Sequence, residues 1–165
     1  MDMEARAHSE HHEALRLWLR MLTCTQIVEK QVRGQLRERF DTTLPRFDLM
    51  AQLERAPDGL KMNELSRRMM VTGGNVTGIT DQLVAEGLVR REPIPDDRRA
   101  YAVQLTPKGK RMFDAMAAEH ERWVEELMSG LTRSERDRLY TLLGRLKTTI
   151  GEQDAKAAPL KEARS

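Results

Sequence analysis

The side chains best suited to chemistry in this chain lie between positions 67 and 99. Asp97-Arg98-Arg99 sits just after Pro95, between two short runs of strand character at residues 88–92 and 100–105. Adjacent guanidinium groups at a hairpin tip suit entry into a narrow DNA minor groove, where the negative potential is deepest. Arginine serves this better than lysine because its planar head is less strongly hydrated. The carboxylate of Asp97 is placed to pair with Arg99 and hold that guanidinium outward. The plainer alternative is a surface ion pair on a hairpin, which contributes little. Upstream, Thr72, Asn75, Thr77, Asp81 and Gln82 fall on the N-terminal part of a short helical pattern. Such polar side chains read base edges when the helix enters the major groove. Asn75 and Gln82 carry the donor-acceptor pair that matches adenine, and Thr77 offers a hydroxyl and a methyl. Gly73, Gly74 and Gly78 leave room for a phosphate to approach the backbone, or simply serve the turn. Arg67 and Arg68 are placed for phosphates, with a solvated helix face as the alternative.

Other candidate chemistry is weaker. Trp18, Met21, Phe47, Met50 and Phe113 are the apolar residues that could line a small-molecule pocket, with Arg16, Arg20 and Arg46 as partners for a carboxylate or phosphate. Plain core packing explains the same stripes. Cys24 lies in an apolar stretch, where a thiol is expected to be buried and inert, because a reactive thiolate needs nearby donors or positive charge. His8, His11 and His12 include a His-x-x-His spacing, but no cysteine stands nearby and no metal is expected. No Ser/His/Asp set, phosphate loop or paired carboxylate is visible, so neither an enzyme nor a cofactor is expected.

The elements that must position these residues can be read from periodicity and turn signals. Apolar residues recur at helical spacing from about residue 10 to 39. A break at residues 41–45 follows, with a second helix opening near Pro45 and burying Phe47, Met50 and Leu53. A third helix spans about residues 62–69. Thr72 is the expected N-cap of a fourth, which buries Val76, Ile79, Leu83 and Val84 and ends before Gly87. In the second strand Tyr101, Val103 and Leu105 alternate with smaller or polar residues, the period of a half-buried strand. Thr106-Pro107 opens a fifth helix running to about residue 129. Thr132-Arg133-Ser134-Glu135 is a capping box that opens a sixth. The fold class is therefore mainly α with a small β-wing: a winged helix-turn-helix, at about residues 45–105, flanked by long helices at about 10–40 and 107–151. Residues 1–8 are expected to be mobile, residues 9–151 to form a single domain, and residues 152–165 to be a polar tail.

At 165 residues, 39% hydrophobic and 33% charged, the chain suits one helix-rich domain with extensions. No apolar run approaches the roughly 20 residues of a membrane span, so no membrane association is expected. A single cysteine excludes an intrachain disulfide and fits a reducing cytoplasm. The net charge is only +2, yet residues 61–111 hold ten Lys and Arg against six Asp and Glu, while the two flanking segments each hold nine against ten. The positive excess thus falls on the segment that looks like a DNA reader. The long helices carry wider apolar faces than one chain can cover. A two-fold homodimer is the economical answer, and it matches a palindromic operator.

Between Leu60 and Gly109 the chain resembles the multiple antibiotic resistance regulator (MarR) family. The matching residues are Asn63-Glu64-Leu65-Ser66, Val76-Thr77-Gly78-Ile79, Leu83-Val84-Ala85-Glu86-Gly87-Leu88-Val89, Asp97-Arg98-Arg99 and Leu105-Thr106-Pro107-Lys108-Gly109. The long flanking helices match the family's dimerisation region in position and length. Gly73-Gly74 departs from the bulkier residues usual at the start of the recognition helix. The resemblance implies a homodimeric repressor on double-stranded DNA, released when a small effector binds between the reader and the dimer helices. The overall pattern is similar to members tied to aromatic catabolism, which answer to an aromatic acid or its coenzyme A thioester. A helical adaptor that turns the same scaffold to a protein partner is the competing expectation.

Overall fold

A computed structural model of the chain describes residues 12–69 and 75–162, apart from the side chains of Arg98 and residues 156–162. In chain order the elements are α1 (Glu13–Phe40), α2 (Leu44–Glu54), β1 (Leu60–Lys61), α3 (Met62–Arg68), α4 (Val76–Ala85), β2 (Val89–Ile94), β3 (Asp97–Leu105), α5 (Pro107–Leu127) and α6 (Arg133–Glu162). The chain divides into two compact units, one ending at Val124 and the other beginning at Glu125. No helix among the described residues is long and apolar enough to cross a membrane.

The first unit is built around α2, whose Leu44, Phe47, Leu49, Met50 and Leu53 are all buried. The helix starts where the sequence allows it. The Thr43 hydroxyl accepts the Arg46 N–H at 3.4 Å, and Pro45 occupies the first turn, where its missing N–H costs nothing. Leu36, Leu65, Leu83, Leu88, Val89, Val103, Phe113, Met116 and Trp123 complete the core around it. Burying each such side chain stabilises the fold by about 1.5–3 kcal/mol. By contrast, α1 buries only Val32 and Leu36, and Leu15, Leu17 and Trp18 in its N-terminal half are exposed.

The sheet has the order β1-β3-β2 and is antiparallel throughout. Strand β1 is too short for any periodicity to reveal; it follows Gly59, whose φ of +89° turns the chain into it. Its Leu60 faces Val103 across the ladder. The β2–β3 ribbon is longer than expected. It runs from Val89 opposite Leu105 out to Ile94 opposite Asp97, with an irregularity at Pro93–Ile94. Val103 is fully buried, whereas Tyr101 is 48% exposed. Tyr101 therefore does not share the covered face expected from its alternation with Val103 and Leu105, because beyond Val103 the strand leaves the body of the protein and becomes the wing.

The exit from α4 is a Schellman motif. Leu88 N–H donates to the Leu83 carbonyl at 2.9 Å and Gly87 N–H to Val84 at 3.0 Å, with Gly87 at φ +70°. The entry to α5 is locked onto this exit. Thr106 donates its hydroxyl to the Gly87 carbonyl at 2.6 Å and accepts the Gly109 N–H at 3.0 Å. A Cβ on Gly109 would lie 1.9 Å from the Leu88 carbonyl oxygen. The Leu-Thr-Pro-Lys-Gly junction thus has a steric cause: only glycine lets α5 approach this backbone.

In the second unit the predicted capping box is present. Thr132 N–H donates to Glu135 Oε2 at 2.8 Å, and Glu135 N–H returns to the Thr132 hydroxyl at 3.3 Å. Helix α6 continues to Glu162, through residues read from sequence as a polar tail. Its Leu139, Leu142, Leu143, Leu146 and Ile150 are exposed in the single chain.

Candidate nucleic-acid interface

Helix α4 divides cleanly into two faces. Leu83 and Thr80 are fully buried, with Val76 and Ile79 packed against the core. Thr80 is absent from the sequence-derived inner face. It can go inside because its hydroxyl donates to the Val76 carbonyl at 2.8 Å, leaving the methyl to pack. The outer face presents Thr77, Asp81 and Gln82, all exposed. Of the predicted base readers, Thr77 and Gln82 stand free for the role on that face.

Two predicted roles change. Asn75, rather than Thr72, caps α4: its Oδ1 accepts the Gly78 N–H at 2.8 Å. The acceptor half of the adenine-matching pair is therefore already in use. Gly78 gains a role here, since a Cβ at that position would lie 2.5 Å from Asn75 Nδ2. Asp81 is ion-paired with Arg91 of β2, so it braces the helix against the wing instead of facing the groove alone. Thr72, Gly73 and Gly74 lie outside the described residues.

Arg67 and Arg68 are exposed at the end of α3, with Arg68 3.9 Å from Glu64. At the wing tip Asp97 and Arg99 are exposed. Asp97 was expected to hold the Arg99 guanidinium. Instead its Oδ1 accepts the Arg99 backbone N–H at 3.1 Å. A carboxylate bridging to the N–H two residues on is a local turn motif; it shapes the tip without engaging the guanidinium. Along the ribbon Arg90 bonds Gln104 at 3.0 Å and Glu92 at 3.1 Å. The side chain of Arg98 lies outside what is described.

The other end of α4 is held by a pair that sequence reasoning placed elsewhere. Arg46 of α2, expected in a ligand pocket, forms a two-pronged bond with Glu86, the C-cap of α4. Nη1 reaches Oε1 at 2.8 Å and Nη2 reaches Oε2 at 2.5 Å. The guanidinium hydrogen bond holds the Glu86 carboxyl below its ordinary range, against a smaller opposing effect of burial. Lys108 Nζ donates to the Glu86 carbonyl at 2.9 Å. Neither the Arg46–Glu86 pair nor the Asp81–Arg91 pair carries a local signal, because their partners are 40 and ten residues apart.

The predicted ligand residues separate. Phe47, Met50 and Phe113 are core. Phe47 stacks on Phe113 at 5.5 Å between ring centroids and packs tilted against His120 at 4.9 Å. Burial lowers the His120 pKa. On α1, Arg16, Trp18 and Arg20 are turned outward and Met21 is half-buried. Two surface hollows are lined by neither group. One lies along α1 at Gln26, Glu29, Lys30 and Arg33; the other lies under the wing, with Asp58, Lys61, Glu64, Glu92 and Gln104 among its walls. Cys24, expected to be buried, is exposed, on a face of α1 that it shares with the exposed Leu17 and Ile27. Among the described residues no group of three or more His, Cys, Asp and Glu is placed to hold a metal. His8 and His11 lie outside the described residues.

A helix presented on a helix-turn-helix, with an antiparallel wing beside it, defines the winged-helix class. The family model described as MarR family matches residues 40–100. The regulator PecS of Dickeya dadantii, an HTH-type transcriptional regulator, is 31% identical over 103 residues, covering 61% of this chain and 62% of PecS. The chain spans less than two thirds of the curated relatives it matches first. A MarR family transcriptional regulator from Silicibacter pomeroyi superposes with a TM-score of 0.74 at 29% identity, over 86% of this chain and 99% of that one. A mutant E. coli MarR complexed with operator DNA gives 0.71 at 25% identity, over 84% and 98%. The chain is thus similar to MarR family regulators in sequence over residues 40–100 and in fold over most of its length.

Proposed function

We propose that this chain is a DNA-binding transcriptional regulator. In this reading it acts in the cytoplasm as a homodimer on a palindromic operator, represses transcription there, and is released by a small aromatic acid or its coenzyme A thioester. The observation that carries it is the brace between Asp81 and Arg91. This pair ties the outward polar face of α4 to the ribbon that carries Arg99, so helix and wing can meet adjacent grooves as one body. The likeness to an operator-bound relative supports the same placement. The homodimer rests on the exposed apolar residues of α1 and α6, among them Leu15, Leu17, Trp18, Leu142 and Ile150. An aromatic effector suits a site between α1, α2 and α5, where Phe47, Phe113 and His120 already form an aromatic cluster.

The test is fluorescence anisotropy with duplex DNA from the region upstream of the chain's own gene. The logarithm of the binding constant should fall linearly with the logarithm of salt concentration, with a slope reflecting roughly 6–10 phosphates per dimer. Arg99→Ala should weaken binding by about 1–3 kcal/mol at fixed salt. A flat salt response with Arg99→Ala silent would reject DNA and favour the protein-adaptor reading.

A further inference from the structure

The clasp between Arg46 and Glu86 joins two elements with different duties. Arg46 belongs to α2, the central helix of the core, and Glu86 caps α4, the helix proposed to read bases. The two partners are unequally held. The Arg46 side chain is only 14% exposed, whereas that of Glu86 is 48% exposed. Glu86 can return to water at little cost; the guanidinium cannot, and without an anionic partner it would be a buried, uncompensated charge. The Arg46 Nε is in addition buried with no hydrogen-bond partner, so this group has donor capacity that Glu86 does not meet. An arginine fork binds any carboxylate in the same two-pronged geometry.

We propose that Arg46 is an exchangeable anion site, at which the carboxylate of an effector replaces Glu86 and thereby unties α2 from the recognition helix. The inference rests on the regulatory reading above and specifies its mechanism. The exchange is one carboxylate for another, so no charge is buried or stranded. When it occurs, α4 keeps its bond to the wing through Asp81 and Arg91, and its exit keeps the bonds from Lys108 and Thr106. What it loses is its charged clasp to α2, while the apolar packing between the two helices remains. The helix should then shift as a unit with the wing rather than unfold. Such an effector lowers DNA affinity only if it binds the untied form better than the clasped one, and competition with Glu86 provides that difference. By linkage, bound operator must weaken effector affinity by the same factor.

Benzoate is a suitable probe, observed through the Nε–H resonance of Arg46 in isotopically labelled full-length protein, alongside operator binding by anisotropy. Benzoate should shift the Arg46 resonance in the wild type. It should do so at a several-fold lower concentration in Glu86→Gln, where the competing charge is gone. The same variant should bind operator about tenfold more weakly, and its lowered melting temperature should rise on adding benzoate, which returns an anionic partner to Arg46. Arg46→Met should abolish benzoate binding. A resonance that does not respond to benzoate, or equal benzoate affinity in wild type and Glu86→Gln, overturns the exchange. Failure of the wild type to bind any upstream duplex would instead reject the regulatory reading, whatever the resonance does.

Discussion

At the scale of single residues, polar side chains near α4 divide into those that hold the structure and those free to meet a ligand. Asn75 belongs to the first group because its Oδ1 is committed to the Gly78 N–H. Removing that cap in Asn75→Ala should cost about 1 kcal/mol of stability. Asn75→Ser, which keeps a capping oxygen, should restore both stability and operator affinity. Urea denaturation and anisotropy measure the two, and a serine variant that is stable but binds without sequence preference would show that Asn75 reads a base after all. His120 is a residue whose environment is visible in its titration. Its pKa lies below 6.5 through burial. The unfolded chain therefore takes up a proton, as pH falls past about 6.5, that the folded protein resists. The contribution to stability is complete above that pH and is lost as pH drops toward the folded value. His120→Gln should flatten this part of the stability profile below about pH 6.5 relative to the wild type. Parallel profiles for the two proteins would reject the assignment.

Among elements, the junction between α4 and α5 is the point where sequence motif and geometry meet most closely. The Schellman exit, the Thr106 bonds and the approach of Gly109 to the Leu88 carbonyl all converge within a few residues. Gly109→Ala should destabilise the protein by about 3 kcal/mol, the upper end for overpacking, because the contact is backbone and cannot rotate away. Chemical denaturation should show a lower midpoint with an unchanged slope. A midpoint within error of the wild type would mean that α5 can retreat freely. The wing and α4 likewise act as one element, since Arg91 and Asp81 join them across a ten-residue separation.

For the whole molecule, the uncovered apolar surface governs behaviour. Leu15, Leu17 and Trp18 on α1, and Leu139, Leu142, Leu143, Leu146 and Ile150 on α6, are all more than a third exposed in the single chain. Rows of this kind on long helices are characteristic of a face that another surface covers. A protein with these faces free should associate at micromolar concentration. Analytical ultracentrifugation should find a dimer for the wild type, and Leu142→Glu combined with Leu146→Glu should shift it toward monomer. A wild-type monomer at such concentrations would remove the basis for a palindromic site. Operator affinity should fall with dimer dissociation, because two half-sites then bind independently.

Much of this architecture was legible in the amino-acid sequence. The opening of α2 near Pro45, the cap at Thr132 with Glu135, the Gly87 exit, the Thr106-Pro107 start and the wing tip depend on signals no more than about five residues away. Helical periodicity found Phe47, Met50 and Leu53 in α2 but not Leu49, which is fully buried because the core covers this helix on more than one side. These features are local, so the chain order that encodes them also brings their partners together. What only the tertiary structure decided depends on contacts between distant positions: the Arg46–Glu86 clasp, the Asp81–Arg91 brace, the pairing of two-residue β1 with β3, the seat of Gly109 on Leu88. The same reason explains the revised roles. Asp81 and Arg46 each carried a charge that sequence alone could assign to a ligand, and each is ion-paired with a protein side chain of opposite charge whose proximity is set by packing. A side chain's chemistry is written in its type, but the partner that uses it is chosen by which elements the core brings into contact.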